Sequence, residues 1–264
     1  MRELFDEVAG KSGLDPLEAV RQSTRTVQRK KFYAQASVGE IDGGFAVLLD
    51  GKSIKTPSRK IVSTPSRVIA ETIATEWNAQ VEIIDPMTMP MTRLANSVID
   101  GVVDRVDEVR EDIGKYFESD MLCYRAGHPQ ELVSREAQAW DGVLFWAAET
   151  FGARFILAEG IIHAAQSQQS LSAARHALPC EPWSVAAVHI VTTITGSAVL
   201  ALALYHGARD ADEIWTAAHV DDDWNIEHWG VDEEVAARRA AKEVDFRAAA
   251  AVIAAMTKVS DQSS

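Results

Sequence analysis

The stretch richest in side chains able to hold a metal or carry a proton runs from His219 to His228, with Asp221, Asp222, Asp223 and Glu227 between the two imidazoles. Carboxylates and imidazoles of this kind coordinate a divalent cation and activate a bound water, which is the chemistry of a metal-dependent hydrolase. Metal-binding helices present their ligands three or four residues apart. His219 with Asp222 and Asp223, and Asp223 with Glu227, meet that spacing, but neither set is a recognised ligand pattern and no second cluster accompanies it. Three consecutive aspartates read more simply as a solvated helix face. His189 stands alone among threonines, as a core histidine with satisfied polar atoms does. The nucleotide motifs fail as well. AGKSG at 9–13 has Phe5 where a P-loop needs its first glycine, and Gly51-Lys52-Ser53 has Ala46 there and sits on a predicted hairpin. HExxH, GxSxG and GxGxxG do not occur. The expectation is a binding protein with no catalytic residue, no metal site and no cofactor; a hydrolase built on residues 219–228 is the alternative.

The cluster falls on a helix predicted from about Asp210 to Trp229, whose face bearing Ile214, Trp215 and Ala218 also carries His219, Asp222 and Ile226. Gly230 ends it, Asp232 can cap the next helix, and that helix runs Ala-rich past Phe246. Before it comes Trp183 to Gly207, the longest run without Asp, Glu, Lys or Arg. Its polar and small stripe of His189, Thr192, Thr193, Gly196 and Ser197, with a strongly apolar part only from Ala198 to Leu204, marks a central helix surrounded by others rather than a membrane span. Val133, Ala137, Trp140, Leu144, Ala147 and Phe151 predict another helix, stopped by Gly152. Leu94, Val98, Val102, Val106, Val109, Ile113 and Phe117 predict one more, with a bend at Asp100-Gly101, and Ser170 to Leu178 a short one. Phe155–Leu157 and Gly160–Ile162 fit a strand, a hairpin or a loop.

From Phe32 the period is two. FYAQASVGEI, FAVLL and KSIKTP, joined by turns at Asp42-Gly43-Gly44 and Asp50-Gly51, predict a three-stranded antiparallel meander with Ile61-Val62 as a further strand. Thr64-Pro65 is expected to cap and begin a helix whose Ile69, Ile73 and Trp77 cover the sheet. The loop IIDPMTMPM then marks a boundary, its methionines filling a gap between two domains or offering an adaptable surface. The fold class is therefore α+β: a small N-terminal antiparallel β domain with a covering helix, followed by a larger, mostly α-helical domain. The expected divisions are a flexible arm over 1–28, the β-rich domain over 29–86, the helical domain over 87–258 and a frayed tail over 259–264.

A net charge of −13 over 264 residues repels phosphate backbones and anionic lipid, which excludes nucleic acid and favours a basic protein surface as partner. Cys123 and Cys180 stand far apart with no CxxC and no secretory signal, and Glu3, Asp6, Glu7, Asp15 and Glu18 interrupt any transit-like pattern. A monomer in the cytoplasm is the expectation.

Eight strings, RKKFY, LLDGKSIKTP, TEWNAQ, MTMPMTRLANSVID, DMLCYRA, LVSREAQAWD, GSAVLALAL and WNIEHWG, follow in order from Arg29 to Gly230. Together they resemble the assembly chaperones for the α subunit of the F-type ATP synthase catalytic head, and the likeness extends to about Phe246. The resemblance implies a non-enzymatic protein that covers the β-facing surface of the free α subunit until a β subunit displaces it, without ATP and without membrane insertion. It implies a bacterial relative of the mitochondrial chaperone. Within WNIEHWG, Trp224 and Trp229 are expected as interface anchors and Glu227 as a charge offered to a basic partner group, with Asp223 beside them. Arg93, Asn96, Asp120, Tyr124, Trp140 and Asp141 match the strings too, and are expected to stitch the two domains together.

Overall fold

Alternating residues form strands because one face of each can be buried while the other stays wet. In the computed structural model, which describes residues 29–160 and 162–262, a short β1 (Arg29–Lys30) precedes β2 (Ala36–Ile41), β3 (Gly44–Leu49) and β4 (Lys52–Ser53). The last three make an antiparallel meander in the order β2-β3-β4. Asp50 and Gly51, at φ 47° and 81°, close the two-residue turn between β3 and β4; positive φ at both positions matches the twist of the flanking strands. The Asp50 carboxylate accepts the Ala34 and Gln35 N–H groups at 3.0 and 2.9 Å, and these backbone hydrogen bonds hold it below the usual carboxylate range. The added strand is β5 (Ser63–Thr64), antiparallel to β3. Ile61, expected within it, makes only an isolated bridge to Lys55.

Helix α1 (Arg67–Ala79) covers the sheet with Ile69, Ala70, Ile73 and Ala74. It begins later than expected. Thr64 stays in β5 and donates its hydroxyl to the Ser66 carbonyl at 2.6 Å, leaving Ser66 as the N-cap. The Asn78 amide pairs with both the N–H and the carbonyl of Ala36, at 2.8 and 2.9 Å, so the end of the helix is bonded to the start of β2. After β6 (Ile83–Ile84), which pairs with β1, the methionine loop divides: Met89 and Met91 are buried and Met87 is exposed.

Next come α2 (Pro90–Ser97), a π-turn over Val98–Val102 and α3 (Val106–Tyr116). The expected bend takes the form of this widened turn, in which the Val103 N–H reaches the Val98 carbonyl at 3.0 Å. A 3₁₀ turn (Met121–Cys123) leads into β7 (Tyr124–Arg125) and α4 (Gln130–Phe151), which stops at Gly152 in the left-handed region, φ 74°. Between the two runs left open after Gly152 lies a strand, β8 (Ala158–Glu159), parallel to β7, and α5 (Gln168–His176) follows.

The central run is two helices, α6 (Pro182–Thr195) and α7 (Ala198–Tyr205), and not one. Gly196, at φ 73°, terminates α6, and the Ser197 hydroxyl accepts the Leu200 N–H at 3.0 Å to start α7. Glycine followed by serine is a C-cap followed by an N-cap. The stripe spacing concealed this. Every residue from Ala198 to Leu204 is buried. The second predicted helix also divides, into α8 (Ala211–Ala218) and α9 (Val220–Trp229), with His219 between them at φ −121°. Last comes α10 (Glu233–Gln262), started by Asp232, whose carboxylate accepts the Glu234 and Val235 N–H groups at 2.9 and 3.1 Å. It packs along α6 and continues into the segment expected as a tail. One apolar cluster extends from Tyr33 to Met256. Among the described residues no helix is long and apolar enough to cross a membrane. The expected arm over 1–28, with its near-miss P-loop, lies outside the described residues.

Candidate functional site

Helix α9 is short, rich in acids, and lies against α4. Arg135 of α4 ties it down. The guanidinium meets Glu227 at 2.7 Å and Glu131 at 3.0 Å, and it lies over the Trp224 ring, 5.0 Å from its centre. His228 stacks on the same ring at 3.9 Å and turns Nδ1 to the Trp224 carbonyl at 2.8 Å. Trp224 is thus buried, at 8% exposure, and helps hold α9 in place instead of standing free as an anchor. Trp229, a turn and a half further on, is 85% exposed. Glu227 keeps half its side chain in solvent, and Asp223 is paired with Arg239 of α10.

Beneath this corner two carboxyls meet. Glu136 of α4, at 2% exposure, accepts the Ala126 N–H at 2.9 Å and has Asp221 of α9 as a charged neighbour. Burial pushes the Glu136 carboxyl above its ordinary range, and Asp221 adds to the shift; burial also raises Asp221. Two carboxylates this close repel, and that repulsion acts with burial to favour the protonated form of Glu136.

The imidazoles and carboxylates that raised the hydrolase reading are not brought together. His219 is buried against Trp215, 4.1 Å between ring centres, with Nδ1 on the Trp215 carbonyl at 2.8 Å. His228 and Asp223 are committed as described, and among the described residues no three His, Cys, Asp or Glu side chains gather as a metal site. The i, i+4 spacing failed because each histidine bonds a carbonyl in its own preceding turn. His189 is a buried partner of Asp112, at 2.9 Å, and Gly51-Lys52-Ser53 belongs to the β3–β4 hairpin.

Of the six residues expected between domains, Arg93, Asp120, Trp140 and Asp141 bond within the helical part and its short connecting elements. Arg93 pairs with Asp245 of α10 and donates to the Pro86 carbonyl. Asn96 is half-buried on α2. Asp120 is wholly buried and accepts the Leu122 and Val199 N–H groups at 3.1 and 3.0 Å, joining the 3₁₀ turn to the start of α7. Burial pushes its carboxyl up to about 6 against the pull of these bonds. The Tyr124 hydroxyl meets His163 at 3.2 Å, the Trp140 indole donates to the Ala217 carbonyl at 2.7 Å, and Asp141 accepts from Arg125 at 2.8 Å.

The bonds between the β-rich part and the helices come from other residues. Glu76 of α1 accepts the Met91 N–H, the Thr92 N–H and the Thr92 hydroxyl at 2.6, 2.8 and 2.6 Å, capping α2 from outside. Asp100 accepts the Thr56 hydroxyl at 2.6 Å and the Ser58 N–H at 3.0 Å. Burial works against its charge, but these bonds win and hold it below the usual range. Glu76, Arg135 and Glu136 stand inside TEWNAQ and LVSREAQAWD, and that membership is the signal that could have singled them out.

A family model described as ATP12 chaperone protein matches residues 30–148. The fold is similar to that of a candidate chaperone from Agrobacterium tumefaciens, at 42% identity over 97% of each chain and a TM-score of 0.83. It is also similar to Atp12 from Paracoccus denitrificans, at 34% identity over 85% of this chain and 97% of that one, with a TM-score of 0.79.

Proposed function

The chain belongs to the ATP12 chaperone family, and from that premise we propose that it binds the free α subunit of the F-type ATP synthase catalytic head during assembly. It covers the surface that α will present to β, prevents indiscriminate association of that apolar patch, and yields to β without ATP. Displacement requires only that the α–β contact be tighter, so a moderate affinity with a usable off-rate suffices. The protein acts as a monomer in the bacterial cytoplasm.

The observation that supports this reading best is the α9 corner. A tryptophan 85% exposed stands at the end of a helix whose first turn carries Asp221, Asp222 and Asp223 and whose last turn carries Glu227. Large exposed aromatics are costly in water and anchor interfaces when a partner covers them. Glu227, half in solvent in the same last turn as Trp229, and exposed Asp222 at the start of the helix suit a basic rim on that partner. The test is retention of β-free α subunit on the immobilised protein, with Trp229→Ser and Glu227→Lys as variants. Retention lost in both variants, with their thermal midpoints unchanged, supports this surface; retention by both at the wild-type level refutes it.

A further inference from the structure

Far from the α9 corner in sequence, three helices end around one cavity of about 610 Å³. Phe151 comes from the end of α4, His176 and Ala177 from the end of α5, and Tyr205 and His206 from the end of α7, with Cys180 at the edge. Each helix end carries a partial negative charge of about half an electron on its last carbonyls. Most of these carbonyls already accept a backbone N–H, as Arg175 does from Leu178 and Leu204 from Gly207, and His206 Nε2 donates to the Ala177 carbonyl at 2.9 Å, so the helix dipoles and second lone pairs are what a ligand would meet. Aromatic rings crowd the walls, with His206 lying 4.9 Å from Phe151 and 4.8 Å from Tyr205. Among the described residues no Lys or Arg lines the space. Glu181 caps α6 through the Trp183 and Ser184 N–H groups and lies near enough to act on Tyr205, whose hydroxyl is pushed up by burial first and by that charge second.

An anion entering here meets carbonyl oxygens and aromatic rings, with no Lys or Arg among the described lining residues to pair with it. A metal ion finds no prepared ligand set, since the histidines and Cys180 do not gather as one. A positive charge on an apolar body meets the opposite: helix C-termini to hold the charge and rings to hold the body. We propose that this cavity binds an organic cation, a guanidinium or ammonium carried on an aromatic or methylene body, with the charge at the α5 and α7 ends and the body against Phe151 and Tyr205. A free amine and an arginine or lysine side chain of another protein share that chemistry.

Cys180 reports occupancy. It is exposed, whereas Cys123 is buried with its thiol pushed up to about 12, so an aromatic disulfide reagent reads Cys180 alone. Benzamidinium should slow that reaction saturably in the millimolar range, with a matching heat by calorimetry, while benzyl alcohol and benzoate do so at least ~3-fold less well. Phe151→Leu keeps an apolar wall without the ring face, and should raise the half-protecting benzamidinium concentration about 3-fold. Equal protection by benzyl alcohol, or neither protection nor heat with benzamidinium to ~10 mM, overturns the proposal. Tighter binding of agmatine than of an arginine-containing tripeptide points to a free amine, and the reverse to a protein side chain.

Discussion

Removing the Asp120 carboxylate should loosen the junction between the 3₁₀ turn and α7 by an amount the geometry sets. The group is wholly buried and satisfies two buried N–H groups, those of Leu122 and Val199. Left without an acceptor, each costs about 1–3 kcal/mol, and relief of the buried charge returns part of that, so Asp120→Ala should destabilise by about 3 kcal/mol at pH 7. The pH dependence follows from the carboxyl being pushed up to about 6 from an ordinary 3.8. The native state then holds this proton more tightly than the unfolded chain. Its contribution is fully present below the unfolded value and is lost as pH rises through about 6. Between pH 7 and pH 5 the wild type should gain about 1.4 kcal/mol that the alanine variant does not, so the difference between them should widen on acidification. Urea unfolding of both proteins at several pH values measures this directly. A loss below about 1 kcal/mol at pH 7 refutes the capping argument, and a difference that stays flat or shrinks toward pH 5 refutes the assignment of the raised carboxyl.

Glu76→Ala should cost about 2 kcal/mol by uncapping α2, and should raise hydrogen exchange at the Met91 and Thr92 amides before it affects α10. Gly196→Ala should cost about 1 kcal/mol, read as a lower thermal midpoint. The new methyl meets only Met121 Cβ at an ordinary 3.8 Å, so the penalty is that of forcing φ 73° on an L side chain. Glu227→Lys should change stability by less than ~1 kcal/mol, because its pair with Arg135 is half in solvent. The same substitution should weaken α-subunit retention, and a large fall in stability would instead make Glu227 structural.

What could be read along the chain was whatever depends on near neighbours. The stop at Gly152, the tight turn at Asp50-Gly51 and the sheet-facing stripe of α1 are set by residues within a few positions, and they stand where spacing put them. The division of the central run at Gly196-Ser197 was local too. It was obscured because the same two residues also completed a plausible helical stripe. His219 breaks its helix with neither glycine nor proline, so no local signal was there to find. The pairings that bond the β-rich part to the helices were out of reach for another reason. Glu76 meets Thr92 and Asp100 meets Thr56 across gaps that no period connects. Burial separated the two tryptophans of WNIEHWG: Arg135, far upstream, covers Trp224 and leaves Trp229 exposed.

The most direct measurement is the aggregation of β-free α subunit followed by light scattering, with equimolar protein present and β subunit added afterwards. The account predicts suppressed scattering, recovery of α in an α–β complex on adding β without ATP, and loss of the suppression with Trp229→Ser. Scattering unchanged by the protein, or suppressed equally for β alone, would contradict it.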